Sequence, residues 1–125
     1  EVMGRVALEN TCVATSGDYE KMREVNGEII THIIDPRSGH PVRNRLSVTV
    51  VTPHGVDSDI FSTAVFVGGT RVAYKLAEWV PNTRFLIVER RNNGDIVTRR
   101  IGWRWADEEP SNWFEKARDL LLQAI

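Results

Sequence analysis

The stretch "LSVTVVTPHGVDSDIFSTAVFVGG", residues 46–69, changes its hydrophobic period part-way and so carries the reading of the fold. Residues 46–52 are rich in β-branched side chains, which pack well on a pleated surface, and are expected to form a central strand. Pro53 and Gly55 end that strand. The following segment reads as a helix, with Asp57 or Ser58 as its cap, acids in its first turn and Gly68-Gly69 closing it.

Downstream, Thr70 reads as the cap of a second helix, "RVAYKLAEWV", in which Val72, Leu76, Trp79 and Val80 recur at helical spacing until Pro81 stops the run. "RFLIVER", the turn "RNNGD" and "IVTRR" then form a hairpin, and "SNWFEKARDLLLQAI" reads as an amphipathic helix capped by Ser111. Upstream, "EVMGRVALEN" alternates as a strand over residues 4–10, and residues 14–18 read as a loop. A hairpin from Tyr19 to Ile33 turns at Asn26-Gly27, a pair suited to a tight turn with both residues at positive φ. Turns at Asp35-Pro36 and Ser38-Gly39 lead back to the central strand. The fold class is α+β, a mostly antiparallel sheet with packed helices, and 125 residues amount to one domain.

Composition narrows the functions available. With 16 basic against 17 acidic residues there is no field to grip nucleic acid or anionic lipid broadly, so an anionic ligand must be held locally. The single cysteine, Cys12, excludes an internal disulfide framework, and its apolar context "TCVA" points to a buried, inert thiol. No apolar run is long enough to span a bilayer as a helix.

Three constellations carry chemistry. Asp59 and Thr63 stand four apart on one helix face and offer a carboxylate and a hydroxyl, a donor pair suited to a hard cation such as Mg²⁺. The same residues also suit ordinary helix chemistry, with Asp59 near the positive helix end and Thr63 bonding back to a carbonyl. His32 and Asp35 end a strand and enter a proline turn. An imidazole there can hydrogen-bond a phosphate or stabilise developing charge, or be satisfied by backbone, while Asp35 can act as a turn former. In "ATSGDY", residues 14–19, Gly17 permits a turn that offers amides to an anion and Tyr19 can pack on a flat ring; a plain surface turn capped by Asp18 is the alternative. A hydrolase triad of Ser16, His32 and Asp35 is disfavoured, because Ser16 lacks the strand-to-helix elbow that exposes a nucleophile.

Taken in order, "ATSGDYE", "HIIDPRSG", "SVTVVTP" and "DSDIFSTAVFVGG" closely resemble the C-terminal half of the FAD:protein FMN transferase family, also called the ApbE family. The resemblance covers about residues 5–90, with Ser38 standing where the family usually has threonine. It implies that the chain, residues 1–125, is the C-terminal lobe of an ApbE-like fold whose N-terminal lobe or partner chain lies elsewhere. The strand-like alternation at the very start of the chain fits that expectation.

The activity the resemblance implies is Mg²⁺-dependent transfer of FMN from FAD to a threonine or serine hydroxyl of an acceptor flavoprotein, with release of AMP. A stand-alone FAD-binding module or subunit, or an FAD pyrophosphate hydrolase when complete, is the alternative. Carried over by position, Asp59 and Thr63 match the metal ligands. Ser16, Gly17, Asp18, Tyr19, His32, Ile33 and Asp35 fall in segments lining the flavin-nucleotide pocket, and His32 matches the histidine implicated in the chemistry. The family context also implies a periplasmic or inner-membrane-anchored location in a bacterium.

Overall fold

The computed structural model describes residues 8–17 and 21–103. Seven strands and two helices follow in the order β1 (Cys12–Ser16), β2 (Arg23–Val25), β3 (Glu28–Asp35), β4 (His40–Arg43), β5 (Arg45–Thr52), α1 (Gly55–Gly68), α2 (Thr70–Trp79), β6 (Arg84–Arg90) and β7 (Ile96–Ile101). They form a four-stranded sheet in the order β1-β5-β6-β7 and a three-stranded sheet in the order β2-β3-β4, with every pairing antiparallel. The α+β expectation is met. The segment expected to be a central strand is one, with β1 on one side and β6 on the other.

The core lies where α1 and α2 cover one face of the larger sheet. Val48 and Val50 of β5, Phe85 and Ile87 of β6, Ile101 of β7, Val65 and Phe66 of α1 and Ala73 of α2 make one buried apolar cluster. Burial of this kind contributes about 25 cal/mol per Å² of apolar surface removed from water. Arg45, at the start of β5, ties helix to sheet: its Nη1 donates to the Phe66 carbonyl at 2.6 Å, and Nη2 pairs with Glu89 of β6 at 2.8 Å. The guanidinium thereby satisfies a carbonyl in the last turn of α1, where a cation is favoured by the helix dipole.

Several local expectations are corrected. The segment 14–18, read as a loop, carries the second half of β1, because pairing with β5 over Cys12↔Thr52 to Ser16↔Val48 satisfies its backbone. The strand expected over 4–10 does not continue through its last residues: Asn10 takes φ 51, which breaks extended backbone, while residues 1–7 lie outside the described residues. Helix α1 begins at Gly55, with His54 at its N-cap, rather than at Asp57 or Ser58. Gly69, not Thr70, is the N-cap of α2, and it doubles as the C-cap of α1. Trp79 is 69 % exposed instead of packed, because α2 buries only Ala73 fully and holds Val72 and Leu76 half-buried. Cys12 is partly rather than fully buried, its sulfur beside Gly55. The helix expected from Ser111 lies outside the described residues.

The Asn26-Gly27 hairpin is present, with φ 51 and 80 at the two turn residues. Strand β4 was not anticipated. It pairs with β3 at Ile30↔Arg43 and again at Ile34↔Pro41, so four residue steps on β3 face two on β4. That surplus is a bulge.

Candidate functional site

The site is assembled where the end of β1 meets the middle of α1. Strand alternation turns Cys12, Ala14 and Ser16 toward α1 and leaves Val13 and Thr15 on the outer face. On α1, Ser58, Ser62, Val65 and Phe66 form the buried stripe, while Asp59 and Thr63 sit beside it on the exposed side. The two edges meet through hydroxyls. Ser16 Oγ is 2.8 Å from Ser62 Oγ and 3.1 Å from Thr63 Oγ1, and Ser62 Oγ donates to the Asp59 carbonyl at 2.9 Å.

This geometry bears on the ordinary-helix readings of Asp59 and Thr63. Asp59 is the fifth residue of α1, past the orphan amides of the helix start, and its exposed carboxylate makes no hydrogen bond among the described residues. It is not a cap. Thr63 bonds to Ser16 across the strand-helix junction, and the back-bonding to carbonyls is done instead by Ser58 and Ser62. An exposed carboxylate and a hydroxyl one turn apart suit a hard cation that takes the rest of its shell from water and phosphate. Among the described residues no group of three or more His, Cys, Asp and Glu stands together, so further ligands would be of that kind or come from elsewhere.

Gly17 follows Ser16 with φ 127, and its backbone passes so close to Leu46 and Ser47 of β5 that a side chain has no room. Gly17 is therefore held at a fixed point against the central strand. Asp18 and Tyr19 lie outside the described residues.

His32 and Ile33 sit in the β3 bulge. Thr31, 4 % exposed, fills the gap in the ladder: its hydroxyl donates to the Val42 carbonyl at 3.0 Å and accepts from the Ile33 amide at 3.3 Å. His32 is left on the exposed side without a hydrogen bond or ion pair among the described residues, and Ile33 packs against the core. Bulges re-aim side chains in this way.

Asp35 is a turn former. Its Oδ1 accepts from the Arg37 amide at 2.9 Å, its carbonyl accepts from the Gly39 amide at 2.8 Å, and its carboxylate takes two bonds from the Arg37 guanidinium at 3.0 and 2.7 Å. Those bonds, first from the Arg37 side chain and then from its amide, lower the carboxyl from 3.8 to about 2. The structure thus joins Ser16 to Thr63 and Asp59, whereas no bond among the described residues links His32 or Asp35 to that cluster.

Ser62 is the site residue that sequence reading passed over. Its signal was present: two serines, Ser58 and Ser62, occupy the buried stripe of an otherwise apolar helix, and each is 1 % exposed. A separate depression of about 640 Å³ lies between the end of α2, the start of β6 and the residues that follow β7, lined in part by Glu78, Thr83, Arg84 and Trp103. Trp103, which sequence left without a role, donates its indole N–H to the Phe85 carbonyl at 3.1 Å and lies under the Arg84 guanidinium at 4.9 Å. None of the residues nominated from sequence lines that depression.

Comparison with known proteins agrees with the motifs. The ApbE family model matches residues 1–87. The chain is 39% identical over 93 residues to the FAD:protein FMN transferase of Haemophilus influenzae, covering 74% of this chain and 27% of that protein. It is 42% identical over 66 residues to a FAD:protein FMN transferase of Klebsiella pneumoniae, covering 52% of this chain and 21% of that one. Among solved structures, the apo form of the Pseudomonas stutzeri flavinyl transferase ApbE superposes with a TM-score of 0.61 at 34% identity, over 76% of this chain and 30% of that chain. The ApbE protein of Thermotoga maritima gives 0.51 at 37% identity, over 68% and 28%. The chain thus spans about a quarter of the length of the curated relatives it matches. With the motif order and the family match in agreement, the chain belongs to the ApbE family.

Proposed function

We propose that this chain is the C-terminal lobe of an FMN transferase that moves FMN from FAD to a threonine or serine hydroxyl of an acceptor flavoprotein and releases AMP. The carrying observation is the hydroxyl junction of Ser16, Ser62 and Thr63, which fixes the start of the "SGDY" turn against the Asp59–Thr63 pair. A nucleotide loop and a cation pair so joined can act on one pyrophosphate. In this reading the acceptor oxygen forms a bond to the FMN phosphorus as the bond from that phosphorus to the bridging oxygen breaks, and AMP carries that oxygen away. Asp59 and Thr63 would hold Mg²⁺, which when bound neutralises charge on the pyrophosphate.

The remaining roles fall to the chain's own groups. The bulge presents the His32 imidazole outward, where it can hydrogen-bond a phosphate oxygen or take the acceptor's proton. Gly17 lets the backbone pass close against β5, and a turn there would offer amides to an anion. Ser16 on β1 and Ile33 and Asp35 on β3 would contribute to the flavin-nucleotide pocket, a role that the motif also gives to Asp18 and Tyr19. The rest of the pocket belongs to a further lobe, joined or separate, since the chain matches only about a quarter of its curated relatives.

The test compares Asp59→Asn and Thr63→Val in the assembled enzyme, by AMP release against Mg²⁺ concentration and by melting temperature. Asp59→Asn is expected to lose Mg²⁺-dependent turnover with an unchanged fold, and Thr63→Val to act in the same direction less strongly, because a neutral ligand contributes less than a charged one. Normal turnover of Asp59→Asn at limiting Mg²⁺ would refute the assignment.

A further inference from the structure

We propose that Ser62 and Ser16 are positioning residues that draw the Thr63 hydroxyl proton away from the cation, leaving its oxygen lone pairs facing outward. This rests on the reading of Asp59 and Thr63 as metal ligands. It follows from counting protons, since each hydroxyl has one to donate and two lone pairs to accept with.

The count begins at the Asp59 carbonyl, which only accepts. Ser62 Oγ lies 2.9 Å from it, so the single Ser62 proton is spent there. The 2.8 Å contact between Ser16 and Ser62 must then use the Ser16 proton. The 3.1 Å contact between Ser16 and Thr63 is left to the Thr63 proton. Three O–H bonds thus run one way, from Thr63 through Ser16 and Ser62 to the carbonyl of Asp59. Successive bonds of one direction polarise each other, which makes the Thr63 oxygen a better donor to a cation.

Location supports the role. Ser62 is 1 % exposed, so water does not replace its hydroxyl. A helical threonine ordinarily bonds back to the carbonyl four residues earlier, which for Thr63 is that of Asp59. Ser62 occupies that carbonyl, and Ser16 offers Thr63 an acceptor on β1 in its place. The anchor of the series is therefore the backbone of the other nominated ligand.

Ser58 provides an internal control. It too is 1 % exposed and donates to a carbonyl three residues back, that of Gly55 at 2.7 Å, but it makes no bond to Ser16 among the described residues. Mn²⁺ serves as the probe, titrated into the assembled enzyme and followed by the electron paramagnetic resonance of the free ion, with melting temperatures measured alongside. Partners that orient a metal ligand are worth 10- to 100-fold in affinity, so Ser62→Ala and Ser16→Ala are each expected to weaken Mn²⁺ binding about tenfold. Ser58→Ala is expected to lower the melting temperature as Ser62→Ala does and to bind Mn²⁺ as the parent does.

Asp59→Asn separates the two levels of inference. Loss of Mn²⁺ in Asp59→Asn with parental binding in Ser62→Ala and Ser16→Ala overturns the hydroxyl series and leaves the ligand reading standing. Parental binding in Asp59→Asn overturns both. Equal losses in Ser58→Ala and Ser62→Ala would show a packing effect and also overturn the series. If Ser62→Ala does not fold, Ser16→Ala, at a partly exposed strand end, decides.

Discussion

Gly17→Ala is expected to be among the most damaging single changes outside the apolar core. The backbone there has φ 127, a conformation that L side chains rarely adopt, and holding alanine in it costs about 2 kcal/mol. A β-carbon would also fall inside van der Waals contact of the Leu46 carbonyl oxygen and 3.0 Å from Ser47 Cα. Neither atom can retreat easily, since both belong to β5, which is paired with β1 and β6 and buries Leu46 and Val48. Shifting packed backbone adds about 2 kcal/mol. The total of about 4 kcal/mol corresponds to a fall of about 15 °C in melting temperature for a domain of this size. Urea unfolding followed by circular dichroism measures it, with Gly27→Ala as the comparison. Gly27 has φ 80 in its hairpin turn but nothing near a β-carbon, so alanine there costs only about 1 kcal/mol. Equal, small losses at the two positions would refute the close approach of β1 to β5. Because the strand end carries Ser16, Gly17→Ala is also expected to weaken Mn²⁺ binding.

The remaining expectations are brief. Arg45→Ala removes the bond to the Phe66 carbonyl and leaves Glu89, among the described residues, with the Arg99 contact at 3.5 Å, so stability should fall by about 2 kcal/mol in denaturant unfolding. The Asp35 carboxyl is held near 2 by Arg37, so its contribution is complete above the ordinary value of 3.8 and is lost as pH falls through about 2. Nuclear magnetic resonance titration of the carboxyl carbon should find that midpoint, and Arg37→Ala should raise it only part of the way, because the residue 37 amide still donates. A midpoint unmoved by Arg37→Ala would show that the ion pair does not form in solution. Thr31→Val should release the β3 bulge by removing the hydroxyl that bonds Val42 and Ile33, and the His32 ring resonances should shift while the larger sheet is undisturbed.

What the sequence determined by itself is what short windows encode. Residues 46–52 read as a central strand, Asn26-Gly27 read as a hairpin turn, and the spacing from Asp59 to Thr63 put both on one helix face. The motif order was likewise legible, because it is a property of the string, and it pointed to the family that the comparisons support. The tertiary structure decided matters of register and reach. Segment 14–18 looked like a loop until pairing with β5 made most of it strand, and the β3 bulge exists only because β4 arrives two steps short. Asp59 looked like a residue at the positive helix end until the helix began four residues earlier, at Gly55. Ser62 had no assigned role until Ser16, 46 residues earlier in the chain, closed on it at 2.8 Å. Hydrogen bonds of that span depend on how strands pair and how a helix settles on them, and no local pattern of side chains carries that information.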